Sequence, residues 1–369
     1  MTFPLGPIHP ALPEPISLKL ALHGEKITGA ETHTGYLKRS VETLMLQKNL
    51  ADALILAERI CGTCGYSHRY ALCLAIESIA GITPPPRAQA LRVVFAEVER
   101  ILARLWTLAH IGRAAELGAL YSGALEAREI LFEACVGATD KRLFWEIAVP
   151  GGAQNIQDPQ TIIDAVQALN SVIAPFDRLL SPKGPLANRA GSVGILSQEA
   201  AEEMCISGPV ARASGVTHDA RLDTPYDIYA QMADILSTET NTGFISGSAP
   251  ARARQMFSDI QDSARIITKI FDDMPEGQER AALPDILPPE KTTVTIEGAR
   301  GSETLTIELN ANRGTNADLT VPEFIKSIAF ATPSGENIGA LPVVLQETLL
   351  SDAMIALSSL DLCIACVDK

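Results

Sequence analysis

Four cysteines stand in two Cys-x-x-Cys pairs near opposite ends of the chain: Cys61 and Cys64 inside Arg59-Ile60-Cys61-Gly62-Thr63-Cys64-Gly65-Tyr66-Ser67-His68, and Cys363 and Cys366 inside Asp361-Leu362-Cys363-Ile364-Ala365-Cys366. The two sulfurs of one such pair can both turn toward one metal ion, so two pairs that meet in space offer four thiolates to a single centre. Soft thiolates suit a soft, redox-capable metal and exclude magnesium or calcium. Free cysteine has a pKa near about 8.5, but a bound cation holds the thiolate form, so the four can serve as bases as well as ligands. His68 shares a helical face with Cys64 if Cys64 begins a helix, which would let it hydrogen bond a ligand sulfur and adjust its basicity. Arg59 is placed to order the backbone of the same loop.

Two other uses of paired cysteines compete with this one. A structural zinc ribbon keeps its pairs within a few tens of residues, because it folds a unit that lacks a core. Here nearly the whole chain lies between the pairs, and 369 residues, 47% of them hydrophobic and 20% charged, can bury a core without a staple. A disulfide or thioredoxin-like redox pair is the other alternative; seven cysteines, an odd number, fit a reducing cytoplasm better than a disulfide framework. Cys73, Cys135 and Cys205 have no Cys-x-x-Cys partner and are expected to be buried structural thiols.

A net charge of -14 argues against a nucleic-acid partner, which would need clustered Lys and Arg. No run of about eighteen apolar residues is present to span a bilayer, and Met1-Thr2-Phe3-Pro4 does not open a secretory signal. Contact with a membrane is therefore expected through other subunits.

The elements that must position these residues are mostly helices. Ile16, Leu18, Leu20 and Leu22 alternate as a half-buried strand, and His23-Gly24-Glu25-Lys26 turns it into a second strand around Ile27. Leu91, Val94, Phe95, Val98, Ile101, Leu102, Leu105 and Leu108 recur at helical spacing between Arg87 and Gly118, with Glu97 and Arg100 able to pair on the polar side. Ile162 to Leu180 and Phe257 to Phe271 make two further stripes, which together imply a helix bundle. After a Pro-rich stretch from Pro284 to Pro289, Val294 and Ile296 and then Leu305, Ile307 and Leu309 alternate as a hairpin joined by Gly298-Ala299-Arg300-Gly301-Ser302-Glu303. A last helix is expected from roughly Val343 to Leu360. His110 reads as a core or interface histidine, since no second ligand stands at helical spacing. The fold class is mainly α with small β hairpins (α+β), a long-helix bundle. The chain reads as one domain over 1–369: an N-terminal hairpin 15–34, a helical body 40–280, a hairpin 290–310, and a C-terminal helix with metal-binding tail 341–369.

In R-I-C-G-x-C-x-x-x-H and S-L-D-x-C-x-x-C, the chain resembles the large subunit of the nickel-iron hydrogenases, and most closely the energy-converting, Ech-like and carbon-monoxide-linked branch. That branch is similar in turn to the quinone-site core subunit of respiratory complex I. The resemblance runs from Pro7 to Lys369 and implies that Cys61 and Cys363 are terminal nickel ligands. Cys64 and Cys366 would bridge nickel to an iron carrying carbon monoxide and cyanide. His9-Pro10-Ala11-Leu12-Pro13-Glu14-Pro15 resembles a segment that brings a carboxylate, here Glu14, beside nickel as a proton relay. Glu297-Gly298-Ala299-Arg300 resembles E-A-P-R, with Arg300 beside the metals, and departs from it at Gly298 and Ala299. Thr332-Pro333-Ser334 resembles a loop near the iron, which makes Pro333 and Ser334 cofactor-binding candidates. In Gly35-Tyr36-Leu37-Lys38-Arg39-Ser40-Val41-Glu42, Lys38 and Ser40 replace His and Gly. Glu42 corresponds to a carboxylate near a magnesium site that also uses a C-terminal His, where this chain has Lys369.

The expected reaction is reversible heterolytic cleavage of dihydrogen, with Cys363 or Arg300 taking the proton and Glu14 passing it outward. This chain has no further Cys-rich clusters for an iron-sulfur relay, so an iron-sulfur small subunit must dock nearby. The resemblance adds ferredoxin as redox partner, integral membrane subunits that translocate ions, and a peripheral place on the cytoplasmic side of the membrane. The alternative is a metal-free, complex-I-like subunit that binds quinone or serves as a scaffold.

Overall fold

The computed structural model describes residues 1–236, 244–284, 287–310 and 324–369, so the Pro-rich stretch lies partly outside the described residues. At the N-terminus, β1 (Thr2–Leu5), β2 (Ser17–His23) and β3 (Lys26–His33) form an antiparallel sheet in that order. The alternation in β2 is realised: Leu18, Leu20 and Leu22 are buried while Lys19 and Ala21 face out. β1 escapes the sequence pattern because Pro4 breaks its alternation, which an edge strand tolerates.

Five long helices make the body: α1 (Gly65–Ala80), α2 (Pro86–Ala114), α3 (Gly118–Thr139), α4 (Gln160–Leu179) and α5 (Ala249–Asp272). α2 is the hub. α3 and α5 both pack along it, α4 packs on α3, and the short helix Ala353–Ser359 lies against it near the C-terminus. Pro86 sits in the first turn of α2, where its missing N–H is not needed, and Gly81 ends α1 in a left-handed conformation. The expected polar side of α2 is itself buried. Glu97 and Arg100 pair at 3.1 Å inside the bundle, where Glu97 also accepts from Arg221, Tyr229 and Ser263.

A three-stranded antiparallel sheet, β4 (Lys291–Gly298), β5 (Gly301–Leu309) and β6 (Ile325–Ala331), runs along α1, with Ala299 N–H on Ser67 in its first turn and Thr292 on Ser78 in its last. Gly298 pairs with Gly301, so the hairpin connection is only Ala299-Arg300, tighter than the six-residue loop read from sequence. β6 completes a three-stranded sheet where a hairpin was expected, and its outer face is exposed at Lys326, Ser327 and Ala329.

The expected continuous helix from Val343 to Leu360 is broken. Leu341–Leu345 is helical, then Gln346 turns extended and Glu347 takes a left-handed φ of 60°. Residues 347–350 pair instead with the start of β3: Glu347 N–H donates to Ile27 O at 2.9 Å, Ile27 N–H to Thr348 O at 2.9 Å, and Leu350 N–H to Glu25 O at 2.8 Å. Satisfying the edge of β3 wins over continuing the helix.

Candidate metal centre

The first cysteine pair is held by its neighbours' backbone bonding. Cys64 is the N-cap of α1 and gives it no side-chain cap. Glu99, reaching across from α2, supplies the missing acceptor: it takes the N–H of Tyr66 at 2.8 Å, the N–H of Ser67 at 2.9 Å, and the Ser67 hydroxyl. Gly65 lets the start of α1 pack against the backbone at Glu58, since a Cβ there would lie 2.4 Å from Glu58 O. Arg39 donates to the carbonyls of Arg59 and Ile60. Arg59, expected to order this loop, instead stacks 3.5 Å over the Trp145 ring and faces Glu58.

The second pair is held as tightly. Ser334 Oγ accepts the Cys363 N–H at 3.0 Å and Thr332 Oγ1 donates to the Cys366 carbonyl at 3.0 Å. The carboxylate of Asp368 accepts the N–H groups of Gly35 at 2.7 Å and Leu37 at 2.9 Å, tying the tail to the loop after β3.

The two pairs meet. Cys61 Sγ lies 3.0 Å from Cys363 Sγ and Cys64 Sγ lies 3.2 Å from Cys366 Sγ, and all four sulfurs fall within 4.8 Å of one another. All four are buried and none is in a disulfide. Metal–thiolate bonds run about 2.3 Å, so sulfurs at these separations fit around a shared inorganic centre. Among the described residues no other group of three or more His, Cys, Asp or Glu could hold a metal ion. Hydrogen bonding with Cys363 first of all draws the Cys61 thiol down and pushes the Cys366 thiol up. The four sulfurs therefore do not ionise together unless a cation enters among them.

The other candidates converge unequally. Cys363 Sγ is 3.7 Å from Glu14 Oε1, and Glu14 also accepts the Ile364 N–H. Burial pushes the Glu14 carboxyl above its ordinary range, and Cys61 adds to the shift. His68 Nε2 lies 3.3 Å from Cys366 Sγ, a sulfur of the other pair rather than Cys64, with Nδ1 2.7 Å from Glu303 Oε1. Burial opposes charge on that imidazole, but Glu303 outweighs it and the pKa rises. Arg300 donates to Thr63 Oγ1 at 3.1 Å, to the Asp361 carbonyl at 2.9 Å and to the Asp361 carboxylate. Burial opposes its charge as well, but Asp361 and the cysteines keep it firmly protonated. Arg300 Nε is buried with no hydrogen-bond partner among the described residues. Pro333 opens the short helix Pro333–Asn337, and Ser334 reaches the centre through Cys363 N–H.

The Glu42 carboxylate accepts the Phe330 N–H at 2.8 Å and faces the Lys369 ammonium at 3.7 Å, and no group of three or more His, Cys, Asp or Glu of the described residues includes it. His110 is half-buried, edge-on to Trp106 at 4.4 Å, with burial and Arg113 lowering its pKa to about 4. Cys73 and Cys135 are buried thiols pushed up to about 12 by burial, but Cys205 is exposed, because it sits in a left-handed turn just past a short surface helix. Asp361, Glu303, Arg39 and Glu99 went unassigned in the sequence, although Asp361 belongs to the quoted Asp-x-Cys and Glu303 falls in the buried phase of β5. Among the described residues no helix is long and apolar enough to cross a membrane.

Comparison with known proteins gives two family matches: "Respiratory-chain NADH dehydrogenase, 49 Kd subunit" over residues 118–300 and "Nickel-dependent hydrogenase" over residues 39–105. The chain is 29% identical to the carbon monoxide-induced hydrogenase of Rhodospirillum rubrum over 372 residues, covering 100% of this chain and 99% of that protein. It is 26% identical to the membrane-bound hydrogenase subunit alpha of Pyrococcus furiosus, covering 99% of this chain and 87% of that protein. It is 32% identical to an NADH-quinone oxidoreductase subunit of Dehalococcoides mccartyi, covering 80% of this chain and 81% of that protein. With these likenesses along its length, the chain belongs to the oxidoreductase family that unites nickel-dependent hydrogenase large subunits with the 49 kDa subunit of respiratory-chain NADH dehydrogenase.

Proposed function

We propose that this chain is the catalytic subunit of a nickel-iron hydrogenase, cleaving dihydrogen heterolytically and reversibly. One observation carries the reading: two Cys-x-x-Cys pairs about 300 residues apart bring four buried sulfurs within 4.8 Å. Cys61, Cys64, Cys363 and Cys366 would hold nickel and an iron carrying carbon monoxide and cyanide. When bound, such a centre supplies the Lewis acidity and redox change that polarise dihydrogen.

The chain's own residues handle the proton. Cys363 Sγ would take it and pass it to Glu14 Oε1, a step that their 3.7 Å separation supports. A carboxyl raised by burial is a better transient proton holder than an ordinary one. Arg300, held as a guanidinium by Asp361, contributes fixed positive charge rather than a base, so Cys363 is the acceptor of the two. Ser334 fixes the Cys363 loop by accepting the Cys363 N–H, and Pro333 opens the short helix that carries Ser334. The chain acts as a single large-subunit domain over 1–369.

Electrons would leave through an iron-sulfur small subunit to or from ferredoxin, in a complex whose membrane subunits translocate ions. The relatives named as carbon monoxide-induced and membrane-bound hydrogenases support a hydrogenase that works at a membrane; in this reading the chain would sit peripherally on the cytoplasmic face. Elemental analysis and infrared spectroscopy of the purified complex test it: nickel with iron, carbonyl and cyanide bands, and hydrogen-deuterium exchange are the expected result. Zinc alone would make the site structural. No metal would turn the reading toward the complex-I-like role that the NADH-quinone oxidoreductase relatives suggest.

A further inference from the structure

Glu303 lies in the core-facing phase of β5 with Leu305, Ile307 and Leu309, and is 1% exposed. A carboxylate there carries a desolvation cost that an apolar residue in the same phase would not. Its side chain is used in one direction: Oε1 sits 2.7 Å from His68 Nδ1, and the opposite ring nitrogen, Nε2, sits 3.3 Å from Cys366 Sγ. Carboxylate, imidazole and sulfur thus form a line drawn from β5, the first turn of α1 and the C-terminal helical turn Ile364–Val367. Phe330 closes one flank of the imidazole, edge-on at 5.7 Å. Space for the other carboxylate oxygen comes from a missing side chain: a Cβ built on Gly298 would lie 3.3 Å from Glu303 Oε2 and 3.5 Å from Ser67 Cβ.

We propose that Glu303 is a positioning residue of the four-cysteine centre. It fixes the His68 ring with Nε2 against Cys366 Sγ, and through that contact sets how strongly this sulfur donates to the metal it holds. An imidazole turns about a broad, nearly two-fold χ2 well, so a partner on the far nitrogen is what selects one orientation. A carboxylate in that place also fixes which nitrogen carries hydrogen, as it does behind metal-bound histidines. Gly298 belongs to the same device, because it leaves the carboxylate free to reach His68. The inference rests on the hydrogenase reading for its readout, since carbonyl and cyanide bands report electron density at the iron.

The test uses the intact complex with Glu303→Gln, Gly298→Ala, His68→Phe and the double variant His68→Phe with Glu303→Gln. Glu303→Gln is expected to retain nickel and iron, to shift the carbonyl and cyanide bands, and to lower activity by about tenfold to a hundredfold. Gly298→Ala removes no polar group and should shift the bands the same way by crowding Oε2, which keeps the question open should Glu303→Gln fold poorly. In the His68→Phe background, Glu303→Gln should add no further shift, because Glu303 acts through the ring. Unmoved bands in both Glu303→Gln and Gly298→Ala, or an equal Glu303→Gln shift with and without His68, would overturn the proposal while leaving the hydrogenase reading intact. Absence of nickel and of both kinds of band in the unmodified complex would overturn the hydrogenase reading, and the proposal with it.

Discussion

Replacing Asp361 with Asn removes one negative charge from between two buried guanidinium groups, Arg104 at 0% exposure and Arg300 at 4%. The carboxylate also accepts the Thr107 hydroxyl. Asp361 has a left-handed φ of 53°, which Asn tolerates, so the substitution changes charge without straining the backbone. Removing one partner of a buried pair costs about 3–5 kcal/mol. Arg104 keeps Asp259 at 3.0 Å, and Arg300 keeps the Asp361 carbonyl at 2.9 Å and Thr63 at 3.1 Å, which places the cost at the low end, about 3 kcal/mol. At roughly 2.1 cal/mol/K of unfolding entropy per residue over 369 residues, that lowers the melting midpoint by about 4 °C. Thermal unfolding of the full chain measures it, with Glu129→Gln as the comparison. Glu129 pairs with Arg142 at the surface, both side chains about half exposed, where an ion pair contributes under about 1 kcal/mol. Because Cys363 follows two residues later, nickel content should fall in Asp361→Asn and stay level in Glu129→Gln. Equal melting shifts in the two variants would refute the claim that Asp361 neutralises the buried guanidinium pair.

Cys363→Ser should abolish hydrogen-deuterium exchange in the complex; retained exchange would remove Cys363 from the proton path. Burial pushes the Glu99 carboxyl up to about 7, so the folded chain keeps a proton that the unfolded chain releases at lower pH. The stability this group contributes is present below the ordinary carboxylate range and lost as pH rises through about 7, a fall on the order of 3 kcal/mol that Glu99→Gln should flatten in denaturant titrations at pH 5 and pH 8. Gly208 has φ 69°, and a Cβ there would lie 2.1 Å from Arg300 O, so Gly208→Ala should cost about 1–3 kcal/mol in unfolding measurements and displace the Arg300 turn. Millimolar magnesium should leave the melting midpoint unchanged, because Lys369 already faces Glu42; a magnesium-dependent rise would show that the ammonium gives way to a divalent ion.

What the sequence makes legible, and what it hides, divides along one physical line. The helical stripes of α2, α4 and α5 and the alternation of β2 and β5 are legible because each is a local repetition of apolar residues. The cysteine pairs are legible because thiolate spacing is chemistry rather than packing. The break at Gln346 is not, since nothing nearby in sequence shows that β3 has an open edge waiting for residues 347–350. Buried charge is the larger omission. Glu97, Arg100 and Glu303 look like solvent-facing positions to any pattern that equates polar with exposed, yet all three are buried. Their partners lie on other elements: Arg221 and Ser263 for Glu97, the Glu297 and Gly298 carbonyls for Arg100, His68 for Glu303. A charged residue in the buried phase of an alternating strand carries a cost that only a specific partner offsets. Glu303 therefore marks itself as a residue to be matched with a distant group, and Gly298, in sequence only a departure from the E-A-P-R pattern, is the residue that leaves room for the match.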